Sequence, residues 1–401
     1  MDKDNKIKIN MISANSAAIA TPTFKSMPSK EYIQYGELNQ YPSILRELMN
    51  GSTKHASLLN KKANMTSSKG FDKEGMDLDV KLFVANPDGS ESLDDIAFKN
   101  SYDLVLYGGY TVAVTWSKDK SKIARVQYVD FSHVRIIKEL NDDSDISKLQ
   151  EEGVESYLIS SDWTQEKKPE YTPKYIQGFS NENKNETTQL IYVTQYRPGC
   201  DSYPLPDYIS GANYIAIDNE ISTYHLSAIQ NGFAPSFMLN LTNVSSDEEM
   251  KDFERKFTKK YQGSTNASKM LMTVSETPEQ RPELIPITLD SSDERYRDLE
   301  EQTQKNIIIA HQASSPVAGI ETAGKLGSAN EILEAELIFQ KNVIDAYQIL
   351  IEKTYNKILL INGVDYELKL NQAVDFNMDG VVNDEDKPNT NTNTEEEDGN
   401  K

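Results

Sequence analysis

The chain has 401 residues, of which 37% are hydrophobic and 26% charged, and its formal net charge is −21. This length is enough to bury a sizeable core, divided over two or three packed units. A protein that grips nucleic acid by its phosphates needs a basic surface, so the acidic balance excludes that class, although it allows a protein past which DNA slides without sticking. The single cysteine, Cys200, excludes an intrachain disulfide and a thiolate metal cluster, as is typical of a reducing cytoplasm or a virion assembled there.

The first thirty residues are polar and rich in Ser, Thr and Pro, and they predict an arm. Residues 11–20 are mildly apolar, but Ser13 and Asn15 interrupt them, so no signal peptide is expected. No run reaches the ~18 apolar residues of a membrane span. Residues 42–66 predict two short helices that are separated at Asn50-Gly51.

Residues 101–196 have the composition of a sheet. Residues 104–116 are apolar and β-branched, and they predict one strand with the pair Gly108-Gly109 as a bulge or tight packing point. Further strands are predicted at 123–129 and 134–137, and around 155–159 and 189–196. We therefore expect an α+β fold with a mixed, largely antiparallel sheet.

The second half of the chain alternates long helices with a small mixed region. Residues 207–231 predict a helix that is apolar on more than one side and therefore packed between neighbours. Residues 235–289 predict a strand, a helix and two strands; the helix is opened by Ser245-x-x-Glu248 and carries Phe253 and Phe257 on one face.

Two more capping boxes define the last helices. Ser291-x-x-Glu294 opens a helix to about Gln312, and Ser328-x-x-Glu331 opens one to about residue 361. Between them, residues 319–327 contain three glycines and predict a loop. From about residue 373 the chain is acidic and rich in Asn and Thr, which predicts a tail.

Residue patterns for catalysis are missing from the sequence. The four histidines have no metal-ligand spacing to one another, and no phosphate-binding glycine motif or nucleophile elbow occurs. Adjacent acids such as Glu300-Glu301 are interpreted as solvated charge, because paired catalytic carboxylates need apolar surroundings. The sequence therefore predicts a protein that is not an enzyme.

The order of five local features resembles phage portal proteins. An apolar segment with an embedded Tyr107-Gly108 leads to Asp130 and Val134-Arg135, and residues 231–239 resemble the end of a helix that turns into the family's clip. Phe257, Gly263, Asn266 and Lys269 resemble a further family motif, although Ser268 stands where a glycine is frequent. Residues 315–319 and 327–331 resemble the end of the second stem helix and the start of the next long helix.

The resemblance, over residues 30–361, is to the compact portals of long-tailed phages and implies a domain order. It comprises an N-terminal arm (1–30), a wing domain (31–206), a first stem helix (207–231), a small α/β clip (232–290), a second stem helix (291–312), a channel loop (313–327), a long helix with a crown-like end (328–371) and an acidic tail (372–401).

The resemblance also implies a function without a required cofactor. Portal subunits form a ring, usually of twelve, at one capsid vertex of the virion, and DNA is packaged and ejected through it without sequence-specific contacts. Implied partners are the chain itself, the terminase large subunit, the head–tail adaptor, and the major capsid and scaffold proteins, with no membrane. The clip would bind partners through Phe233, Phe237, Phe253, Phe257 and Lys269. The channel loop would face DNA with Gly319, Glu321, Thr322, Gly324, Lys325 and Gly327.

The tail contains a second, competing pattern. Its residues fit an EF-hand-type calcium loop, with weak Ca²⁺ binding expected through Asp375, Asn377, Asp379, the Val381 carbonyl, Asn383 and Asp386, and with Gly380 at the sharp turn. The loop resembles that of dockerin modules, which would make the chain a secreted surface-assembly protein. Dockerins carry the loop twice with helices attached, whereas here it occurs once and Pro388 follows it.

Overall fold

A computed structural model describes residues 22–27, 29–87, 89–138, 155–231, 237–242, 270–275, 292–320 and 329–374. The fold is α+β, as predicted. In chain order, its strands and helices are β1 (Lys25–Ser26), β2 (Ile33–Gln34), α1 (Tyr41–Gly51), α2 (Thr53–Ser67), α3 (Leu78–Ala85), α4 (Leu93–Tyr107), β3 (Gly109–Trp116), β4 (Ile123–Val129), β5 (Val134–Ile136), β6 (Ser156–Ile159), β7 (Lys174–Gly178), β8 (Thr188–Thr194), α5 (Ala212–Asn231), β9 (Phe237–Thr242), β10 (Met270–Ser275), α6 (Ser292–Ala310), α7 (Ala329–Phe339) and α8 (Asp345–Ile361).

The two predicted N-terminal helices are confirmed as α1 and α2. Pro42 lies in the first turn of α1, where its missing N–H costs nothing. Ser52 separates the helices, and its hydroxyl accepts a hydrogen bond from the His55 backbone N–H at 3.2 Å, which caps α2. Both helices bury leucines, Leu45 in α1 and Leu58 in α2, against the main core.

The predicted strand over residues 104–116 is wrong in its first four residues, which are the last turn of α4. That helix begins at a capping box made by Ser92 and Asp95. It ends at Gly108, whose φ of 85° is the left-handed conformation that terminates helices. Because the last turn of α4 and strand β3 are both fully buried, their apolar runs join in the sequence without a change of period.

A six-stranded sheet forms the centre of the first half, in the order β4-β3-β8-β7-β6-β5. Its neighbouring strands are antiparallel except β7 and β8, which pair in parallel. The predicted strands correspond to β4, β5, β6 and β8, whereas β7 was not predicted. The predicted tight packing at the glycine pair agrees with Gly109, where an added Cβ would lie 2.7 Å from the Val193 carbonyl oxygen.

The C-terminal helices confirm the other predicted boundaries. The predicted 207–231 helix is a 3₁₀ turn, Asp207–Gly211, that continues into α5. The helix predicted over 328–361 is continuous but contains a π turn, Gln340–Ile344, between α7 and α8. Gln340 is buried there and donates hydrogen bonds to Asp345 at 2.9 Å and Gln348 at 3.1 Å. The sequence analysis predicted one uninterrupted helix here and did not predict the π turn.

Helix α8 joins the C-terminal half to the sheet. The Tyr110 hydroxyl of β3 donates to the Leu350 carbonyl at 2.9 Å and lies 2.7 Å from the Thr354 hydroxyl. One large apolar cluster includes residues of α1, α2, α4, β3, the end of α6 and α8, so the sheet and the later helices share a core. Among the described residues, no helix is long and apolar enough to cross a membrane.

Candidate functional site

The residues predicted to face DNA lie mostly outside the described part of the chain. Gly319 alone is described; its φ is 73°, and no atom lies within 4 Å of where a Cβ would be. It follows a compact turn in which the Gly319 N–H donates to the Pro316 carbonyl at 3.0 Å. The other predicted loop residues, Glu321, Thr322, Gly324, Lys325 and Gly327, are outside the described residues.

The predicted clip is represented by two strands. Strands β9 and β10 pair in parallel with Phe237 opposite Met270, which confirms the strands predicted near 236–241 and 269–274. Phe233, Phe253, Phe257 and Lys269 are outside the described residues, as are the predicted calcium ligands Asp375, Asn377, Asp379, Val381, Asn383 and Asp386. Val374 is the last described residue.

A buried polar cluster lies where the two helices assigned by resemblance to the stem meet the first half of the chain. We call it the junction cluster; it comprises His55, Lys62, Asp207, Tyr208, His311 and Tyr347. Asp207 and Tyr208 start the 3₁₀ turn that leads into α5, and His311 directly follows α6. The cluster therefore connects the start of α5, the end of α6, α2 and α8.

An ion pair holds the start of α5. The Lys62 side chain is fully buried and donates to Asp207 Oδ2 at 2.8 Å. The Tyr347 hydroxyl donates to the same oxygen at 2.6 Å, and the ammonium lies 5.6 Å from the Tyr347 ring centroid. A buried ammonium needs such partners, because its desolvation costs several kcal/mol. Burial, and then the charge of Asp207, raise the pKa of Tyr347, so its hydroxyl stays a donor.

Two histidines 256 residues apart in the sequence meet beside this ion pair. His55 Nδ1 lies 2.8 Å from His311 Nε2 and both residues are fully buried, so one ring donates and the other accepts. The Tyr208 ring packs against both imidazoles, with its centroid 4.5 Å from that of His55 and 5.3 Å from that of His311. His55 Nε2 and His311 Nδ1 have no hydrogen-bond partner among the described residues.

Both histidines are held neutral. Burial, with a smaller contribution from the Lys62 charge, lowers the pKa of His55 to about 3. Burial, Lys62 and His55 lower the pKa of His311 well below its ordinary value. Because a neutral imidazole has one donor and one acceptor, the pair can share a hydrogen bond only while at least one ring is uncharged.

A second set of contacts holds α5 against the start of α2. The Asp218 carboxylate, nearly fully buried, accepts from the Ser52 hydroxyl at 2.7 Å and from Lys54 Nζ at 2.5 Å. Lys54 also lies 3.8 Å from Glu300 of α6, so the three elements share one charge network. The 3₁₀ turn before α5 also lies close to the end of α6, since a Cβ at Gly211 would be 2.5 Å from the Ala310 Cβ.

The Val134-Arg135 pair of the resemblance has a structural role in the sheet. Arg135 is buried and donates to the carbonyls of Ser132 and Val134, both at 2.8 Å, and to that of Asn39 at 3.2 Å. Its guanidinium lies 4.9 Å from the Trp163 ring centroid. These contacts tie the segment before α1 to β5, which explains why an arginine stands in an otherwise apolar strand.

The hydrogen bonds of the junction cluster connect helices to one another. Among the described residues, no three histidine, cysteine or acidic side chains are grouped to hold a metal ion. The sequence did not predict the cluster, because His55 and His311 have no shared motif. The signal that the sequence offered was that His55 and His311 each lie at helical spacing from apolar residues of a predicted helix. Such a position is usual for a histidine in the core.

Comparison with known proteins supports a single family. The sequence model of the family described as "Phage portal protein" matches residues 102–394, most of the chain. A chain named "Probable portal protein" in Haemophilus phage HP1 (strain HP1c1) is 19% identical over 167 residues, which are 42% of this chain and 48% of that relative. The chain thus aligns with about half the length of the relative it matches.

Solved structures share the fold at low identity. The neck of an empty gene transfer agent (GTA) particle computed with C6 symmetry contains a chain with 13% identity and a TM-score of 0.55, with 92% of this chain and 89% of that chain covered. The virion of a native GTA particle contains one with 13% identity, a TM-score of 0.52 and 85% coverage of each chain.

The chain belongs to the phage portal protein family. The family is structural, not enzymatic, and its members are head–tail connector components of a virion or phage-like particle. The predicted family, α+β fold class, structural role and virion location are therefore confirmed. The alternative of a secreted surface-assembly protein is replaced by this assignment.

Proposed function

We propose that this portal protein forms a closed ring at one capsid vertex, through which double-stranded DNA is packaged and later ejected. The proposal rests on the junction cluster, which holds the start of α5 and the end of α6 against α2. Helices α5 and α6 contact each other and are held together in this way at one end, as the paired helices of a channel wall require. The C6 symmetry in the description of the solved GTA neck supports a symmetric assembly.

The charge of the chain suits a channel for DNA. Its net charge of −21 is repeated in every copy, so a ring repels phosphates at any surface that is not locally basic. DNA would therefore slide without binding. Light scattering of the purified chain tests assembly: the proposal expects one high-mass species, whereas a monomer at every concentration contradicts it.

The loop that ends at Gly327 would make the contacts with DNA as it moves through the channel. Its glycines give backbone freedom, and Lys325 is the one cation of residues 319–327. Deleting residues 322–325 should leave rings intact and impair packaging or retention of the genome. Normal packaging by a virion with that deletion contradicts the role of the loop.

Partner docking is assigned to the clip around β9 and β10. The terminase large subunit would bind there during packaging and the head–tail adaptor afterwards, with the major capsid and scaffold proteins at the wing domain. Phe253 and Phe257 would provide an aromatic surface, since aromatic residues carry much of the energy of interfaces. Pull-down of terminase by Phe257→Ala should be weaker than by the unaltered ring; equal recovery contradicts the assignment.

A weak calcium site in the tail is a separate proposal. The pattern of Asp375, Asn377, Asp379, Gly380 and Asp386 supports it, because oxygen ligands stand at the spacing of an EF-hand-type loop. An affinity of about 10⁻⁴–10⁻³ M, as in extracellular modules, is expected.

A further inference from the structure

The histidine pair of the junction cluster, His55 and His311, is buried without the partners that a charged imidazole needs. His55 Nδ1 lies 2.8 Å from His311 Nε2, and neither residue is exposed to solvent. The outer nitrogens, His55 Nε2 and His311 Nδ1, have no hydrogen-bond partner among the described residues. A neutral imidazole has one N–H and a protonated imidazole has two. The neutral pair therefore uses one N–H in its shared hydrogen bond and already leaves the other without an acceptor.

A proton added to the closed pair has two places to go, and both are unfavourable. On the accepting nitrogen of the shared hydrogen bond, it would place two N–H groups face to face across 2.8 Å. On the remaining outer nitrogen, it would add a second buried N–H without an acceptor, and such groups cost free energy. The closed contact therefore selects the neutral form of both rings by its geometry. Burial acts in the same direction, since it lowers the pKa of both rings.

The groups around the pair do not offset a positive charge on either ring. On α2, the buried Lys62 ammonium is itself positive, and its charge further lowers the pKa of both histidines. On the 3₁₀ turn, the Asp207 carboxylate accepts from Lys62 at 2.8 Å and from Tyr347 of α8 at 2.6 Å, so its charge is already shared. The Tyr208 hydroxyl, whose ring packs against both imidazoles, donates to the Leu106 carbonyl at 2.7 Å.

The neighbouring acids on α5 and α6 have a cationic partner of their own. Asp218 of α5 accepts from Lys54 Nζ at 2.5 Å, and Glu300 of α6 lies 3.8 Å from the same ammonium. A proton taken up by the histidine pair therefore adds an uncompensated charge to the closed junction. The favourable route is exposure of the rings to water, because a solvated imidazole has its ordinary pKa of about 6.5.

The end of α6 is the side of this contact that can move. His55 lies in the first turn of α2, and its backbone N–H is held by the Ser52 cap at 3.2 Å. His311 directly follows α6, and its neighbour Gln312 has a left-handed φ of 56°, so the helix has ended there. Residues 297–302 of α6 are exposed. Between residues 297 and 310, the buried side chains are those of Thr303, Ile307 and Ile308. Separation at the end of α6 therefore exposes fewer apolar groups than displacement of α2, which contributes to the main core along most of its length.

We propose that the histidine pair is a pH-sensitive contact: when it takes up protons, the end of α6 separates from α2 while the six-stranded sheet stays folded. At neutral pH the contact is closed, and α2, the start of α5 and the end of α6 form one unit. In acid the contact opens, and His311 moves together with the start of the segment that leads to the predicted channel loop. The inference concerns the fold of the single chain and goes beyond the proposed function, which does not involve pH.

Hydrogen–deuterium exchange of the full chain, measured by mass spectrometry at about pH 7.5 and about pH 5, tests the proposal. Labelling times are scaled for the slower chemical exchange of amides in acid, so a remaining difference reports opening. Once separated, the last turns of α6 fray, because helix ends without packing are marginal in water. His55 has a pKa of about 3 in the closed contact and about 6.5 in the open one, so its ionisation alone favours opening about thirtyfold more at the lower pH. Protection of residues 303–312 should therefore fall by at least about thirtyfold, and that of β3 and β8 should not.

Two paired variants assign the effect to the junction. His55→Gln with His311→Gln replaces both rings by amides that donate and accept but take up no proton, so protection of residues 303–312 should be equal at the two pH values. The matched control, His133→Gln with His225→Gln, removes the other two histidines of the chain. The His133 side chain is 33% exposed and His225 is exposed, so this control should keep the full acid response.

Two acids could also contribute to a response at low pH. Burial raises the pKa of Asp103 and of Glu352, and both are unchanged in every variant, so their titration cancels in the comparison. If the paired glutamine variant does not fold, His311→Gln alone serves as the test. It removes one of the two titrating rings, so its acid response should be smaller than that of the unaltered chain, and an equal response contradicts the proposal.

The outcomes separate this inference from the proposed ring. A loss of protection that is confined to the end of α6, absent with the paired glutamines and kept in the control variant supports the pH-sensitive contact. An equal loss in β3 and β8, a loss that the paired glutamines retain, or no loss in acid overturns it. All chains are compared at one protein concentration in whatever assembly they form, so a failure to form rings contradicts the proposed function and leaves this test intact.

Discussion

Replacing Lys62 with methionine tests whether the buried ion pair holds the start of α5. The substitution keeps the volume of the stem but leaves the Asp207 carboxylate with Tyr347 and the longer 3.4 Å contact from Gln312. Breaking a buried pair by removing one partner costs 3–5 kcal/mol. Because the Asp207 side chain is 18% exposed and keeps a strong donor, the lower end, about 3 kcal/mol, is expected.

Thermal unfolding at fixed protein concentration is the assay, since assembly shifts apparent stability. At roughly 2 °C per kcal/mol for a large domain, Lys62→Met should lower Tm by about 6 °C. Lys73→Met is the matched control: Lys73 pairs with Asp94 at 3.0 Å but is 59% exposed, so a change under about 1 kcal/mol is expected. Adding Asp207→Asn to Lys62→Met should recover part of the loss. Equal effects of Lys62→Met and Lys73→Met, or no recovery, would refute the reasoning.

Three further predictions follow from the junction and the tail. Burial lowers the folded pKa of His55 to about 3 and that of His311 well below its ordinary value, so the stability that depends on the neutral pair is fully present above about pH 6.5 and is lost as the pH falls below it. For His55 the loss between pH 6.5 and 5 is about 2 kcal/mol, and the variant that combines His55→Gln with His311→Gln should show a flatter Tm against pH. A slope unchanged by the double variant contradicts burial of the pair. Gly211→Ala should lower Tm, because the new methyl group would collide with Ala310 where the start of α5 meets the end of α6. Ala310→Gly in the same chain should restore Tm, and a Tm that stays low would show that the strain lies elsewhere. Calcium titration of the full chain by calorimetry should give heat that Asp379→Ala abolishes, whereas identical titrations leave only an acidic tail.

Local signals predicted α1, α2, α5, α6 and the continuous helix of α7 and α8, together with most strands, but α3 and α4 were not predicted. The capping-box patterns that begin at Ser291 and Ser328 predicted helix starts that agree with those of α6 and α7, and the predicted stop at Asn50-Gly51 agrees with the end of α1 at Gly51. The error at residues 104–107 has a physical reason. The last turn of α4 is buried throughout and joins a buried strand, so neither period shows there, and the helix was marked only by Ser92 and by the helical spacing of Leu93, Ile96 and Ala97 earlier in α4.

The site was less predictable than the fold. The residues predicted from the resemblance lie mainly in segments outside the described residues, so they stay predictions. The junction cluster combines His55 with His311 and Lys62 with Asp207, pairs that are at least 145 residues apart. Contacts at such separation follow from the topology of the packed helices. A single sequence contains no local pattern for them.

Electron microscopy of the purified, full-length chain tests the central claim most directly. Two-dimensional averages should show closed rings of uniform subunit number with a central hole, because a head-to-tail contact that closes gives one symmetric species. Open filaments, or single copies at all concentrations, would contradict a portal ring.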